Sequence, residues 1–107
     1  MSSRTELSQI SERYAKALFA LAEEAGTLDT VAGELSLLAE AADGSEALKT
    51  LIENPTVARQ RKAETMQAVL AKSKACKLLI QFVTTLAENN RLSLIGTVAA
   101  RFQAMLS

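Results

Sequence analysis

Few residues of this 107-residue chain have side chains suited to catalysis. The chain contains no His, so it lacks the side chain that most often acts as a base near neutral pH. Its four Gly are isolated in the sequence and form no phosphate-binding loop. No Ser or Cys stands beside a candidate base in a recognisable nucleophile motif, and the acidic pair Glu23-Glu24 is typical of a solvated helix end. These patterns predict a protein that is not an enzyme and that binds no cofactor.

The single Cys and the missing His also restrict structural cross-links. One Cys cannot form a disulfide within the chain, and a structural zinc site would lack ligands. Cys76 lies in an apolar run that favours a helix. We therefore expect a buried and unreactive thiol at this position.

The charge balance weighs against binding to nucleic acid. Twelve basic and twelve acidic side chains cancel, whereas chains that bind phosphates usually carry a basic excess. A small nucleic-acid-binding or transcription-regulatory domain is nevertheless the alternative interpretation. It would use the basic residues Arg59, Arg61, Lys62, Lys72, Lys74 and Lys77.

The composition predicts an all-α fold in a single domain over residues 1–107. Apolar residues make up 49% of the chain and aromatic residues only 4%, and β-branched runs are few. An aliphatic core can therefore form from Leu, Val, Ile and Ala. The chain has no apolar run of about 18 residues and no apolar signal segment at its N-terminus, so we expect no direct membrane insertion.

Periodicity and capping residues predict six helices with short loops, which pack as a compact six-helix bundle. The helices extend over about residues 9–25, 28–43, 46–53, 59–73, 76–88 and 92–105. Residues 1–8 are polar and are expected to lie outside the first helix. The predicted N-caps are Ser8, Thr27 and Ser45, and the predicted stop signals are Gly26, Asp43-Gly44, Asn54-Pro55 and Asn89-Asn90.

A basic first turn distinguishes the fourth helix. Arg59, Arg61 and Lys62 lie in this turn, where positive charge opposes the helix dipole. We expect the turn to be solvated and paired with acidic residues of a neighbouring helix. A contact patch for an acidic partner is the alternative.

The first and fifth helices carry apolar residues on more than one side. In the first helix the two seams are Ile10, Tyr14, Ala17, Leu18 and Leu21, and Ala15, Phe19 and Ala22. In the fifth helix they are Leu79, Val83 and Leu86, and Leu78, Phe82 and Thr85. Either both helices are central in the bundle, or a groove between them accepts an amphipathic helix from a partner.

Three segments of the chain resemble the N-terminal domain of the ATP synthase delta subunit, whose mitochondrial counterpart is the oligomycin sensitivity conferral protein. The segments are RYAKALFALAEEAG at residues 13–26, ENP at 53–55 and LAENNRL at 86–92. The resemblance implies a six-helix bundle in the stator of ATP synthase. It implies that the bundle holds the N-terminal helix of an alpha subunit in a groove between the first and fifth helices, and so links the catalytic head to the peripheral stalk.

The resemblance also implies site residues and a cellular location. The YAKA pattern places Tyr14 and Ala17 in the groove, and the positions before AEN place Phe82, Val83, Thr85 and Leu86 there. Leu18 and Leu21 are added from the helical periodicity alone. The resemblance covers only the N-terminal domain of the family, so we expect that the C-terminal region, which grips subunit b of the peripheral stalk, is absent from this sequence. We expect a peripheral component of the enzyme on the cytoplasmic side of a bacterial inner membrane, soluble when isolated.

Overall fold

Six α-helices account for most of residues 4–106, the part of the chain that the computed structural model describes. They are α1 (Arg4–Ala25), α2 (Leu28–Gly44), α3 (Glu46–Glu53), α4 (Arg59–Lys72), α5 (Lys77–Glu88) and α6 (Ile95–Leu106), with a 3-10 turn at Leu92–Leu94. These residues include no strand, and the radius of gyration of 13.0 Å is that of a compact domain of this length. The predicted all-α, six-helix bundle is confirmed. Within the described range, no helix combines the length and the apolar character that crossing a membrane requires.

The bundle is built from two closely packed helix pairs. α4 lies along α5 and α1 lies along α6, while α2 contacts α3 and α6. The core between them is aliphatic, with Leu18, Leu35, Leu79 and Phe102 completely buried. α1 and α5 contact each other only sparsely. Their facing sides are therefore held together by a few large side chains rather than by close backbone approach.

Three helices end with a residue in the left-handed conformation. Gly26 (φ 71°), Lys74 (φ 61°) and Asn90 (φ 59°) follow α1, α4 and α5. In each case the next backbone N–H donates to the carbonyl five residues earlier, at 2.8, 3.0 and 2.8 Å respectively. This is the Schellman arrangement, which satisfies carbonyls that the helix leaves without partners. The helix ends predicted at Gly26 and at Asn89-Asn90 are confirmed. No helix end was predicted at Lys74, because lysine is not a residue type that usually ends a helix in this way.

The start of α1 differs from the prediction. The helix begins at Arg4 rather than near Gln9, so Ser8 lies inside it and is not an N-cap. The Ser8 hydroxyl instead accepts a hydrogen bond from the Arg101 guanidinium at 2.5 Å, which ties α1 to α6. Residues 1–3 of the predicted polar N-terminus lie outside the described residues.

The other two predicted caps have different outcomes. The Ser45 hydroxyl accepts from the backbone N–H of Leu48 at 3.3 Å, so Ser45 caps α3 as predicted. Thr27 occupies the residue before α2, but its side chain makes no capping bond. Its hydroxyl donates to the carbonyl of Ala22 at 3.4 Å, so the contact is with the end of α1.

Cys76 occupies the residue before α5 and is half-buried rather than buried. Its backbone N–H donates to the Glu34 carboxylate at 2.8 Å, which joins the start of α5 to α2. Burial raises the pKa of the Cys76 thiol, and the nearby Glu34 carboxylate raises it further. A raised pKa lowers the thiolate fraction, which agrees with the low reactivity expected of this thiol.

The basic first turn of α4 contains a buried lysine. Only 7% of Lys62 is exposed, and its ammonium donates to the backbone carbonyl of Ile52 at 2.8 Å. Ile52 lies in the last turn of α3, where carbonyls have no partner within the helix. The expectation of a solvated turn is therefore wrong for Lys62, and this residue cannot serve a nucleic-acid surface. Within residues 4–106, Arg59 and Arg61 form no ion pair with an acidic side chain, so the expected acidic pairing is wrong as well.

We expect Lys62→Met to lower the free energy of unfolding by about 1–3 kcal/mol, because it leaves the buried Ile52 carbonyl without a donor. Denaturant unfolding followed by circular dichroism measures this change. Arg59→Met in the same turn is the control, since Arg59 is exposed, and its expected effect is within about 0.5 kcal/mol. Equal effects of the two substitutions would contradict a stabilising bond from Lys62.

We expect Lys74→Gly to raise the free energy of unfolding by about 0.5–1 kcal/mol, because glycine adopts the left-handed conformation without the steric cost of a Cβ. Lys72→Gly, inside the last turn of α4, is the matched control and should instead lower stability by about 1 kcal/mol. Thermal unfolding of both variants checks the opposite signs. If both glycine substitutions lower the free energy of unfolding, the left-handed conformation of Lys74 carries no steric cost and the prediction is wrong.

Candidate functional site

Two stripes of residues, one on α1 and one on α5, form the candidate site. On each helix the stripe has the spacing four, three and four, which keeps its members on one side of a helix. We call the two stripes together the α1/α5 face. It comprises Ile10, Tyr14, Ala17 and Leu21 on α1, and Leu78, Phe82, Thr85 and Asn89 at α5.

Tyr14 joins the two stripes. Its ring meets the Phe82 ring edge to face, with centroids 6.1 Å apart and an interplanar angle of 78°. Its hydroxyl accepts a hydrogen bond from the Asn89 side-chain amide at 2.9 Å. Tyr14 and Phe82 are both half-buried. The junction is therefore packed on its inner side and open to solvent on its outer side.

The structure divides the eight predicted site residues into surface and core. Ala17, Leu21 and Thr85 are exposed, Leu21 by 51%, and the Thr85 hydroxyl donates to a carbonyl of its own helix. The fully buried members are Leu18, Val83 and Leu86, each with 0% exposure. These three form part of the core beneath the α1/α5 face, and in this conformation they offer no surface to a partner.

A cavity of about 490 Å³, open to solvent, lies beside the junction. It is lined by Ile10, Arg13, Tyr14, Ala17 and Arg91. Arg13 and Arg91 were missed as site residues, although both lie inside the segments RYAKALFALAEEAG and LAENNRL that carry the resemblance. Asn89, which fixes the Tyr14 hydroxyl, was missed as a site residue as well.

The chemistry available at this cavity is that of binding. Its lining combines apolar side chains with two guanidinium groups and one phenol, and contains no thiol, carboxylate or lysine. A guanidinium does not act as a base in proteins, because it stays protonated. The site can cover apolar surface and hold a negative charge.

A second apolar surface lies between α2 and α4. Leu37 is 67% exposed and Val69 is 40% exposed, at the edge of a recess of about 270 Å³ whose inner wall includes Leu38 and Leu70. Neither the periodicity nor the resemblance predicted this surface. It serves as an internal comparison for the α1/α5 face.

Comparison of the sequence with known proteins identifies close relatives. The family described as "ATP synthase delta (OSCP) subunit" matches residues 10–107. The chain is 37% identical to "ATP synthase subunit delta" of Rhodospirillum centenum over 103 residues, which are 96% of this chain and 55% of that protein. It is 36% identical to the protein of the same name from Azorhizobium caulinodans, with coverage of 96% and 55%. The chain thus spans about half the length of the curated relatives it matches.

A solved structure shares both the fold and the sequence pattern. A chain in the cryo-EM structure of the Toxoplasma gondii mitochondrial ATP synthase hexamer superimposes with a TM-score of 0.78 and 32% sequence identity. The match covers 86% of this chain and 51% of that one. Sequence and fold therefore lead to the same conclusion: the chain belongs to the ATP synthase delta (OSCP) subunit family.

Proposed function

We propose that this chain is a non-catalytic stator component of ATP synthase and that its α1/α5 face holds the N-terminal helix of an alpha subunit. The observation that carries this proposal is the half-open junction of Tyr14 and Phe82, which lies between two sparsely packed helices. Soluble domains rarely leave contiguous apolar surface uncovered unless a partner covers it. An amphipathic helix is the partner whose shape fits two neighbouring stripes of helical spacing.

The proposal gives the predicted residues two different roles. Tyr14, Ala17, Leu21, Phe82 and Thr85 have surface on the α1/α5 face and would contact the alpha helix directly. The buried residues Leu18, Val83 and Leu86 act indirectly, because their packing in the core fixes the positions of α1 and α5. Substituting a buried member would therefore change stability first and binding only as a consequence.

A stator contact needs mechanical persistence rather than chemistry. The rotor applies torque to the catalytic head, and a bound helix must stay in place while the head resists rotation. Apolar helix-in-groove contacts suit this task because they can be tight. Among related complexes, a tighter one differs from a weaker one mainly in that it dissociates more slowly. Large anchors such as Tyr14 and Phe82 would supply most of the binding free energy.

The remaining parts of the proposal concern the rest of the assembly. In the assembly, the helical bundle contacts the catalytic head. Subunit b of the peripheral stalk is held through the C-terminal region that is typical of the family. The location is peripheral, on the cytoplasmic side of a bacterial inner membrane. No nucleic acid takes part.

Ala17→Asp tests the α1/α5 face directly. The probe is a synthetic peptide of about 25 residues from the N-terminus of the alpha subunit of the same ATP synthase, titrated by calorimetry. We expect the substitution to weaken binding by about 100-fold or more, because a bound helix would have to take the new carboxylate out of water, even where it pairs with Arg13 one turn earlier. Ala17 is exposed, so thermal unfolding of the variant should stay close to that of the original chain.

Leu37→Asp is the matched control, since it places the same carboxylate on the second apolar surface. We expect this variant to bind the peptide with unchanged affinity. Loss of binding in Leu37→Asp with retention in Ala17→Asp would assign the peptide to the α2/α4 recess and refute the proposal. Tyr14→Asp is a less specific test, because Tyr14 is half-buried against Phe82 and its loss would also affect stability.

A further inference from the structure

We infer that the helix seated on the α1/α5 face carries carboxylates along the margin of its apolar stripe, where Arg13 and Arg91 bind them. This inference rests on the proposed function and adds to it the charge of the partner. The two guanidinium groups line the same cavity as Tyr14 and Ala17, so both lie at the edge of the proposed helix site. Four observations support the assignment.

The first observation is that Arg13 has no acidic residue three or four positions away on its own helix. It is exposed, and the residues three and four positions away are Gln9, Ile10, Lys16 and Ala17. The adjacent Glu12 is directed to Lys16, at 3.9 Å between ammonium and carboxylate. Within residues 4–106 Arg13 takes part in no ion pair. Its charge is therefore available to a partner.

The second observation is that Arg91 is half-buried with most of its donors unused. It lies between the end of α5 and the 3-10 turn, and its guanidinium donates to the carbonyl of Asn90 at 3.5 Å. A guanidinium has five N–H donors, and one contact at that distance satisfies little of this capacity. The described part of the chain supplies Arg91 with no carboxylate within ion-pair distance.

The third observation is the local charge of the cavity. The whole chain carries no net charge, yet the cavity lining has two positive groups and no negative one. Like charges placed together on one side of a groove favour a partner of opposite sign and exclude partners of the same sign. Arginine also suits carboxylates in particular, because its planar fork can bind both carboxylate oxygens.

The fourth observation selects a protein partner over a phosphate ligand. Beside the two guanidinium groups the lining is apolar or aromatic, with Ile10, Tyr14 and Ala17. A phosphate would leave this apolar surface uncovered. A helix with an apolar stripe and acidic residues beside it covers both parts of the cavity at once.

A double-mutant cycle tests the inference on the intact chain. The two probes are the alpha N-terminal peptide and a version in which every Asp and Glu is replaced by Asn and Gln. Glu and Gln have similar helix propensity, so the change is mainly one of charge. At low ionic strength we expect the original chain to bind the acidic peptide about ten-fold more tightly than the neutral one. We expect the double variant Arg13→Gln, Arg91→Gln to bind both peptides equally and as weakly as the original chain binds the neutral one.

Arg59→Gln, Lys77→Gln is the matched control, with the same loss of charge at two exposed positions outside the cavity. This control should keep the preference for the acidic peptide. The preference should also fall toward unity in about 1 M salt, since the screening length is then about 3 Å.

The possible failures are distinguishable. If both peptides bind the original chain equally, and Ala17→Asp abolishes both, the groove stands and the inference about charge is overturned. If the control variant loses the preference as much as the Arg13 and Arg91 variant does, the attraction is diffuse and the inference is again overturned. If the acidic peptide does not bind the original chain, the proposed function fails and the inference fails with it.

Discussion

The site depends on the way in which α1 and α5 are already occupied by other helices. α1 is packed along α6, and α5 is packed along α4, so each of the two helices packs more closely against another helix than against the other one. Above the shared core, the two helices are joined by the contact of Tyr14 with Phe82 and by the hydrogen bond from Asn89 to the Tyr14 hydroxyl. A pair of helices joined by so few side chains keeps its outer surface open, and an open apolar surface is what a partner helix can cover.

The core beneath this junction explains how the opening can persist. Leu18, Val83 and Leu86 are fully buried and belong to the same continuous cluster as the centre of the bundle. Protein interiors are close-packed, so α1 and α5 cannot slide together without displacing these side chains. The Schellman ends after α1 and α5 fix the point at which each of these helices stops. A rigid floor with an incomplete cover would suit the stator contact proposed above.

The sequence predicted those features that depend on neighbours along the chain. Helices end at Gly26 and Asn90 as predicted, and Ser45 caps α3 as predicted, because helix caps and helix ends depend on local interactions. Lys62 was misjudged because its partner, the Ile52 carbonyl, comes close only after α3 and α4 have packed. Lys74 takes a conformation that lysine rarely adopts, so no residue type announced the end of α4. At the site, periodicity found both seams of α1 and α5, but it could not decide which members of each seam face the core. Leu18 and Ala17 are adjacent in sequence, yet one is fully buried and the other lines the cavity.

The two apolar surfaces differ in their charged residues, and neither the composition nor the periodicity of the sequence reveals this difference. At the α2/α4 recess the nearby carboxylate of Glu34 already accepts the Cys76 backbone N–H, so its negative charge has a partner within the fold. At the α1/α5 face, Arg13 and Arg91 have no such partner among the described residues. A surface whose charges are satisfied internally can only attract apolar groups, whereas a surface with two free cations can also select the sequence and orientation of what it binds. The net charge of zero therefore conceals a local excess of two positive groups, and this excess lies beside the junction of Tyr14 and Phe82.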